Sequence, residues 1–329
     1  MQAEAFPWLG LRSKFLEAQS QVNQLRIFDL TARVSHALRI WAVRYPLVRR
    51  VRVWPLALSV AAAAPFAGVQ ALISAARVSL WVFTLDDLFD EERVPESEMM
   101  RRADRYRALA HGHAAEMAED SLAAALQEIR ADLSRYALFE SLGDEWANAL
   151  CGTIDGMVRE FQWRAMLTRN PDMALPSYEE YVANGLYSIG GPPHVWASLI
   201  TTNDQSTPER LDQLRPMERI ACTCIRLAND LQSYGKEVAE GNINGLVILG
   251  KGLEASGVHP IEAHRGAERR VRSDIADGLT ALGTLQSAVG TKTRRPEAAI
   301  ADIARFVCNF YEEHDYHTFL SQAGMNAGR

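Results

Sequence analysis

Helical periodicity is the feature that most constrains how this chain folds. Residues 121–139 place Leu122, Leu126, Ile129 and Leu133 on one stripe at three- and four-residue spacing, with charged residues between them. The same pattern predicts helices over 66–90, 96–117, 143–168, 177–189, 208–238, 259–288 and 296–320, and over 9–41 in pieces. No run alternates for long enough to compete as a strand. We therefore expect an all-α fold.

The whole chain, 1–329, is predicted to be one helical domain, because no long linker and no fixed-period repeat divides it. We expect about 25 residues at the N-terminus and about 10 at the C-terminus to be flexible or to form a lid. The 48% of hydrophobic residues can fill a sizeable core, which excludes a disordered chain.

The charge balance bears on the partners of the chain. With 35 Lys+Arg against 41 Asp+Glu, the net charge is −6, which argues against nucleic acid as the main partner. The sequence leaves the oligomeric state open, with a homodimer as one expectation. The four cysteines form no C-x-x-C pair and are predicted to be reduced and structural; they are Cys151, Cys222, Cys224 and Cys308.

One uncharged stretch, Val53–Ala76, is long enough to cross a bilayer. Pro55, Pro65 and Gly68 interrupt it, and alanine outnumbers the larger apolar residues. We interpret the stretch as a buried core helix and predict no integral membrane span. The first residues also lack the basic and apolar pattern of a signal peptide, so the sequence favours a cytoplasmic location.

Two places interrupt the helical pattern. The run Gly190-Gly191-Pro192-Pro193 predicts either a helix split in two or a plain loop, because proline donates no backbone N–H and clashes with the preceding turn. The local sequence leaves these two alternatives open. Further along, Gly241 and Asn242 are expected to end a helix.

An acidic cluster ends the apolar segment that precedes residue 91. Asp86 and Asp90 stand one helical turn apart, so both carboxylates can bind one hard cation, and Asp87 lies between them. Glu91 and Glu92 follow directly. Such a concentration of like charge is unfavourable unless a cation offsets it, which indicates an Mg²⁺ site. A solvated acidic helix end is the alternative.

A second set of oxygen donors lies in the segment 229–237. Asn229, Ser233 and Glu237 are four residues apart in turn, which aligns an amide, a hydroxyl and a carboxylate on one helix face. These groups can hold a further Mg²⁺. Arg226 and Lys236 stand close by and can reach an anion that the metals hold. An ordinary surface helix is the alternative for this segment taken alone.

These two segments together resemble class I terpene synthases. DDLFD at 86–90 is similar to the aspartate-rich D-D-x-x-D motif of that family, and NDLQSYGKE at 229–237 is similar to its N-D-x-x-S-x-x-x-E motif. Two softer likenesses point to the bacterial diterpene branch related to ent-kaurene synthases. EYVANGLYSIG, from Glu180, resembles E-Y-x-x-N-x-x-x-S-x-G, and EGNIN, from Glu240, resembles E-G-x-x-N.

The resemblance implies a helical bundle that binds three Mg²⁺ ions and a prenyl diphosphate substrate. Asp86 and Asp90, with Asp87 as a further metal candidate, would bind two ions. The third ion would lie on Asn229, Ser233 and Glu237. The metals would promote departure of the diphosphate, and carbocation cyclisation would follow in an apolar cavity. The candidates for the aromatic lining are Trp81, Phe83, Phe161, Tyr187, Trp196, Tyr311 and Tyr316.

The remaining site residues implied are Arg226 and Lys236, as diphosphate donors, and Ser188 and Gly190, as neighbours of the reacting carbocation. The softer likenesses favour a C20 substrate, either geranylgeranyl diphosphate or a copalyl-type diphosphate. Farnesyl diphosphate is the alternative substrate.

The sequence departs from the family pattern at two points. Many members carry a diphosphate-sensing arginine where Gly185 stands here, and no Arg or Lys occurs between Glu179 and Ile200. Asp315-Tyr316 replaces an Arg-Tyr pair near the C-terminus. We therefore expect Arg226 and Lys236 to supply the positive charge that the missing arginine would provide.

Three other functions fit the sequence less well. A chain-elongating prenyltransferase needs a second aspartate-rich motif, and Asp86-Asp87 is the only Asp-Asp pair in the chain. A protonation-initiated cyclase needs D-x-D-D, but Thr84 stands where the first aspartate would be. A non-catalytic helical binding protein would have no reason to retain every predicted metal ligand.

Overall fold

The computed structural model describes residues 13–90, 95–113, 120–170, 173–316 and 319, and within these residues it contains helices and no strand. The helices are α1 (Lys14–Glu17), α2 (Gln21–Ala42), α3 (Val53–Ala63), α4 (Val69–Asp90), α5 (Glu96–Ala110), α6 (Ser121–Leu133), α7 (Phe139–Arg169), α8 (Tyr178–Ser188), α9 (Gly191–Thr202), α10 (Leu211–Glu240), α11 (Gly245–Ala255), α12 (Pro260–Val289) and α13 (Arg295–Tyr311). The predicted all-α fold is confirmed.

One large hydrophobic core joins most of these helices. Its members run from Leu16 to Phe319, and Trp41, Trp81 and Trp146 are among its largest fully buried side chains. A smaller cluster joins α8, α10, α11 and α12 through Tyr178, Leu227, Leu246, Ala267 and Val271. Helix α10 contributes to both clusters, so the helix that carries the second motif is fixed on several sides. All four cysteines are free thiols.

The uncharged stretch Val53–Ala76 forms two buried helices instead of one. Helix α3 ends at Ala63, and α4 begins at Val69. Pro65 and Gly68 lie in the connection, where the first cannot donate a helical hydrogen bond and the second lowers helix propensity. Every residue of α3 is buried, as expected for a core helix. Among the described residues, no helix is long and apolar enough to span a membrane.

The helix ends also correct three predicted boundaries. Helix α5 ends at Ala110 instead of 117, and α13 ends at Tyr311 instead of 320. The stretch 121–139 was expected to be one helix, but α6 ends at Leu133. The N–H groups of Tyr136 and Phe139 donate to carbonyls three residues earlier, at 3.0 and 2.9 Å, so the chain turns here before α7 begins. Tyr136 still packs on the core. The hydrophobic period therefore continues through a turn that periodicity alone cannot detect.

The glycine–proline run separates α8 from α9, which confirms the split helix and excludes the plain loop. Gly190 has φ +74°, a conformation that favours glycine, and Pro192 and Pro193 occupy the first turn of α9, where a missing N–H does no harm. A Cβ on Gly190 would lie 2.2 Å from Cγ1 of Val82 in α4. The break is thus held tightly against α4. Gly241, at φ +72°, ends α10 as predicted.

The close approach at Gly190 makes a stability prediction with a matched control. Gly190→Ala and Gly241→Ala both place a side chain at positive φ, which costs about 1–2 kcal/mol. Only Gly190→Ala also meets Val82, and such a collision costs about 1–3 kcal/mol more; nothing lies within 4 Å of a Cβ on Gly241. Urea unfolding followed by circular dichroism measures both. Equal losses in the two variants would contradict the proposed contact, whereas a partial rescue of Gly190→Ala by Val82→Ala would support it.

Candidate active site

A cavity of about 500 Å³ lies between α4, α7, the α8–α9 break, α10 and α13. Asp86 reaches it from the end of α4, and Asn229, Ser233 and Glu237 reach it from one face of α10. The two motifs, which are far apart in the sequence, therefore face one cavity. Its size is in the range of small-molecule sites, which is roughly 300–1,000 Å³.

The three aspartates of the first motif differ in position. Asp86 lines the cavity. The carboxylate of Asp87 instead lies 2.5 Å from Arg52 Nη2 and 3.3 Å from Arg49 Nε, and it is not part of the cavity lining. The side chain of Asp90, like Glu91 and Glu92, lies outside the described residues. The structure thus gives Asp87 a buried ion pair with Arg52, and Asp86 is the described aspartate that faces the second motif.

The second motif is held in place by the loop that follows it. Asn244 donates from Nδ2 to Glu237 Oε2 at 2.7 Å and to the Asp230 carbonyl at 3.0 Å. Within α10, Ser233 donates to the Asn229 carbonyl at 2.8 Å. Asn244 is the last residue of the E-G-x-x-N segment, so this likeness has a structural reason: the asparagine orients the carboxylate of Glu237.

The donor set is suited to a hard divalent cation. Burial raises the pKa of Glu237 and raises that of Asp230 to about 7, although Arg226 opposes both shifts. A bound cation would offset the cost of a charged carboxylate there. In the described part of the chain, no three His, Cys, Asp or Glu side chains cluster closely enough to hold a metal by themselves. Amide, hydroxyl, water and substrate oxygens are the other ligands available, which is typical of Mg²⁺.

Arg226 is the most deeply buried cation beside the cavity. Its Nη1 lies 3.2 Å from a Glu160 carboxylate oxygen on α7, and its Nε lies 3.1 Å from Asp230 Oδ1 on α10. The guanidinium also donates to the Tyr181 hydroxyl and, at 3.3 Å, to Ser188 Oγ, both on α8. Burial lowers the pKa of Arg226, but these acidic neighbours outweigh burial and raise it well above its ordinary value.

The absence of a side chain at Gly185 makes room for Arg226. A Cβ on Gly185 would lie 2.8 Å from Cγ of Arg226. In the family pattern an arginine stands where this chain has Gly185, and the structure places the arginine of α10 directly over that position. The two residues are far apart in the sequence, so the charge reaches this side of the cavity from a different helix.

The polar residues from Glu180 to Ser188 have structural roles in α8. Glu180 forms a reciprocal cap with Ser177 at the start of the helix. Asn184 donates to the Gly156 carbonyl of α7 at 3.1 Å, and Ser188 donates to Glu160 Oε1 at 2.6 Å. The polar residues of this segment therefore fix α8 to α7 at one end of the cavity.

Sequence reasoning missed two charged residues of α7 that line the cavity. Glu160 contacts Arg226 and Ser188, while Arg164 donates to the Phe89 carbonyl at 3.2 Å and to Asn242 Oδ1 at 3.5 Å. Arg164 thus connects the ends of α4 and α10. The sequence does contain a sign of this pair, because Glu160 and Arg164 stand four residues apart in an amphipathic helix. Such charged pairs are common on solvated helix faces, so the spacing alone does not indicate a site.

Lys236 also lines the cavity and differs from Arg226 in exposure. Its side chain is 63% exposed, and its Nζ lies 4.0 Å from Glu240. Asp315 and Tyr316, the residues that replace the family's Arg-Tyr pair, both contribute to the lining. Tyr316 shares a 2.7 Å hydrogen bond with Ser59.

The aromatic residues predicted to line a cavity divide into two groups. Phe83, Phe161, Tyr311 and Tyr316 lie on the cavity. The other three pack elsewhere and do not line it; they are Trp81, Tyr187 and Trp196. Trp81, for example, donates to the Leu122 carbonyl at 2.8 Å.

A smaller hollow of about 60 Å³ adjoins the cavity and shares Val82, Phe83 and Tyr311 with it. Gly190 lines this hollow, together with His194. Burial lowers the pKa of His194 to about 4, so its imidazole is neutral at pH 7. The hollow therefore extends the cavity as an apolar space beside the helix break.

A wider groove of about 840 Å³ lies between α1, α10, α12 and α13. It is lined by Lys14, Arg272 and Arg305 and by none of the predicted metal ligands. We place the active site in the smaller cavity because both motifs face it.

The all-helical bundle thus places two sets of oxygen donors and a buried arginine around one cavity. The comparisons are more specific. The model of terpene synthase family 2, C-terminal metal binding, matches residues 77–273, which is more than half of the chain. The chain belongs to this family.

Curated relatives match over parts of their length. Ent-isokaur-15-ene synthase from Oryza sativa subsp. indica is 23% identical over 287 residues, which cover 82% of this chain and 33% of that protein. Cineole synthase 1 from Salvia fruticosa is 34% identical over 71 residues, 21% of this chain and 12% of that protein. The matches span a third or less of these plant proteins.

Solved structures share the fold. The 2-methylisoborneol synthase of Streptomyces coelicolor A3(2), in complex with Mg²⁺ and geranyl-S-thiolodiphosphate, superposes with a TM-score of 0.69 at 16% identity, covering 89% of this chain and 92% of that one. Linalool/nerolidol synthase from Streptomyces clavuligerus, in complex with 2-fluorogeranyl diphosphate, gives 0.64 at 18% identity, with 86% and 94% covered. At these identities the likeness establishes the fold.

Proposed function

We propose that the protein is a class I diterpene synthase, which ionises a C20 prenyl diphosphate, cyclises the resulting carbocation and releases diphosphate. The observation that carries the proposal is that Asp86 and the triad Asn229, Ser233 and Glu237 face one cavity beside the buried cation Arg226. We also propose that the chain forms a single domain, in support of which one core cluster extends from Leu16 to Phe319.

The proposed metal ligands are Asp86 and Asp90 on one side of the cavity and Asn229, Ser233 and Glu237 on the other. Asp87 contributes through its ion pair with Arg52, which holds the end of α4 and leaves Asp86 directed at the cavity. When bound, Mg²⁺ neutralises the charge that develops on the departing diphosphate, and three ions are expected. Asn244 keeps Glu237 oriented for this role.

The proposed diphosphate donors are Arg226 and Lys236, with Arg164 beside them. Glu160, Asp230 and Tyr181 already hold the Arg226 side chain in position. Binding of an anion therefore costs little additional side-chain entropy. A guanidinium also binds two oxygens at once, whereas the ammonium of Lys236 acts as a point charge on a mobile stem. Arg226 is therefore the main group in place of the missing arginine at position 185.

The hydrocarbon part of the substrate is proposed to lie towards the helix break. Phe83, Phe161 and Tyr311 line the cavity, and their aromatic rings would stabilise positive charge through their quadrupoles and exclude water. Ser188 and Gly190 would border the reacting carbocation. Ser188 connects this end to the diphosphate end because its hydroxyl contacts both Glu160 and Arg226.

The substrate length is inferred from the relatives. The products named for two rice relatives, ent-isokaur-15-ene and ent-cassa-12,15-diene, are diterpenes, which supports a C20 substrate. The Streptomyces structures hold geranyl analogues, which supports testing shorter substrates as well. A sesquiterpene synthase acting on farnesyl diphosphate is the second candidate, while a prenyltransferase and a non-catalytic binding protein rank below it.

Substrate choice is tested with the purified protein, Mg²⁺ and a panel of geranyl, farnesyl, geranylgeranyl and copalyl diphosphates. We expect diphosphate release and cyclic hydrocarbon formation to be most efficient with one of the two C20 substrates. Gas chromatography with mass spectrometry identifies the products, and EDTA provides the metal-free control. Highest kcat/KM with farnesyl diphosphate would replace the C20 proposal with the sesquiterpene one. Failure of every substrate to release diphosphate would favour the binding protein.

The adjacent aspartates Asp86 and Asp87 provide a matched pair for the metal site. Asp86→Asn should reduce kcat by about a hundredfold or more with little change in stability, because it removes a ligand that acts on developing charge. Asp87→Asn should lower the free energy of unfolding by about 3 kcal/mol, since it leaves Arg52 buried without its charge partner, and should keep kcat within about tenfold of wild type. Steady-state kinetics and urea unfolding of both variants are needed. The reverse pattern would assign the metal to Asp87.

The two proposed diphosphate donors are compared through Arg226→Gln and Lys236→Gln. We expect kcat/KM to fall by about a hundredfold in the first variant and by less than about tenfold in the second, because the arginine is buried and a guanidinium can bind two oxygens at once. Inhibition by inorganic diphosphate should weaken in the same order. Thermal unfolding sets an assay temperature at which both variants remain folded. Equal, small effects in both would mean that other groups bind the diphosphate.

A further inference from the structure

A polar pair lies at the inner end of the active-site cavity, where the surroundings are apolar. The hollow of about 60 Å³ beside the helix break is lined in part by Val60, Ile303 and Val307. Ser79 of α4 and His194 of α9 line it as well, with 2.8 Å between Ser79 Oγ and His194 Nδ1. Each of the two residues is 8% exposed. Burying polar groups is costly, so a pair of them on an apolar wall calls for an explanation.

Ser79 lies deeper in the bundle than the first metal motif, on the same helix. It precedes Asp86 by seven residues, which is two helical turns, so the two residues share a face of α4 and stand about 10 Å apart along its axis. Asp86 lines the main cavity and Ser79 lines the hollow, while Val82 and Phe83 between them line both. The polar pair is therefore at the end of the cavity that is remote from the proposed metal ligands.

His194 carries the only basic nitrogen among the described residues that line the hollow, and no acidic side chain is among these residues. The other polar pair there consists of two hydroxyl groups. Ser59 and Tyr316 share a hydrogen bond of 2.7 Å, and Ser59 donates to the Pro55 carbonyl at 2.9 Å. Hydroxyl groups are very weak bases, and imidazole remains the stronger base even where burial weakens it. A proton released in the hollow therefore has His194 as its acceptor.

The two ring nitrogens of His194 have different neighbours. Nδ1 is next to Ser79, whereas Nε2 lies 3.4 Å from Oγ of Ser198, which does not line the hollow. We assign the ring proton to Nε2, which leaves the lone pair of Nδ1 to accept the hydrogen bond of the Ser79 hydroxyl. A hydroxyl oxygen has two lone pairs, so Ser79 can accept a proton from the hollow while it passes its own to Nδ1.

We propose that Ser79 and His194 together remove the proton that ends the carbocation reaction. The inference rests on the proposed function and names the base that completes it. A C–H bond next to the cationic carbon breaks, and its electron pair forms the double bond of the product. The proton joins Ser79 Oγ as the Ser79 proton moves to His194 Nδ1, which gives a neutral product, a neutral serine and an imidazolium.

The environment of His194 also restores the base after each turnover. Burial lowers the pKa of His194 to about 4. Above that pH the imidazolium is the unfavourable form, so at pH 7 it loses its proton to water that enters when the product leaves. The pair is then neutral again and ready for the next substrate.

The position of the pair determines which proton is removed. Diphosphate is the competing base, and the proposed ligands hold it at the outer end of the cavity near Asp86 and Glu237. Ser79 and His194 instead border the carbons that are folded towards the helix break. We therefore expect the product to be a hydrocarbon whose last double bond lies in its ring system and not at the carbon that carried the diphosphate.

The test compares product identity with diphosphate release in variants of the full chain. His194→Asn keeps a polar atom near the position of Nδ1 but has no basic nitrogen. It should still release diphosphate, within about tenfold of the wild-type rate, because ionisation precedes proton removal. The main wild-type product should fall by at least about tenfold as a fraction of the total, in favour of alcohols and isomeric alkenes, since a positioned base typically contributes roughly 10²–10⁴-fold.

Two further variants separate a base from a packing contact. Ser79→Ala should shift the products in the same direction as His194→Asn, and it provides the same test if thermal unfolding shows that His194→Asn does not fold. Ser198→Ala is the matched control, because it removes the hydroxyl on the other side of the ring, and it should retain the wild-type product. Gas chromatography with mass spectrometry and a diphosphate assay measure the two quantities.

An unchanged product profile in folded His194→Asn and Ser79→Ala would overturn the assignment and leave the pair as a contact between α4 and α9. A loss of diphosphate release as large as the change in product would also overturn it, because the pair would then act on ionisation or on the shape of the site. An alcohol as the main wild-type product would contradict proton removal as the last step. Absence of diphosphate release from the wild type with every substrate is a separate result, which would overturn the proposed function and this inference with it.

Discussion

The buried charge of Arg226 is the constraint around which the site is organised. A guanidinium inside the bundle is stable only if acidic and hydroxyl groups surround it, and here they come from three helices. Glu160 of α7, Tyr181 of α8 and Asp230 of α10 provide them. Asp230 in turn accepts the Gly245 N–H at 3.2 Å, at the start of α11. The cation thereby fixes the relative positions of the helices that form one side of the cavity.

The same network joins the two ends of the cavity. Ser188 contacts Arg226 and Glu160 and stands at the end of α8, immediately before the break at Gly190. An anion that attracts Arg226 therefore also affects Ser188, which bonds to Arg226 and stands next to the break. The break in turn packs against Val82 of α4. The chain has no arginine at position 185, yet a side chain from α10 places a cation at that point of the bundle. The cation at this point of the bundle is therefore supplied by the packing of α10 and not by the residue at position 185.

Much of the fold was predictable from local pattern. Apolar period, the Pro and Gly breaks and the donor spacing on α10 identified most of the helices, an interruption before Gly191 and the candidate ligands. The choice between a split helix and a loop at that interruption came from the structure. The position of Arg226 over Gly185 could not be predicted, because it depends on contact between residues that are distant in the chain. The role of Asp87 could not be predicted for the same reason: helical spacing puts Asp86 and Asp87 side by side, and only the position of Arg52 distinguishes them. Glu160 and Arg164 were missed because charged pairs of this spacing are common.

Both motifs and Arg226 are proposed to act on one diphosphate group. A crystal structure of the protein with Mn²⁺ and inorganic diphosphate tests it most directly, because anomalous scattering locates the metal ions. We expect ions bound by Asp86 on one side and by Asn229, Ser233 and Glu237 on the other, with diphosphate oxygens within hydrogen-bond distance of Arg226. Diphosphate bound in the groove beside Arg272 and Arg305, or metal absent from either motif, would contradict this account.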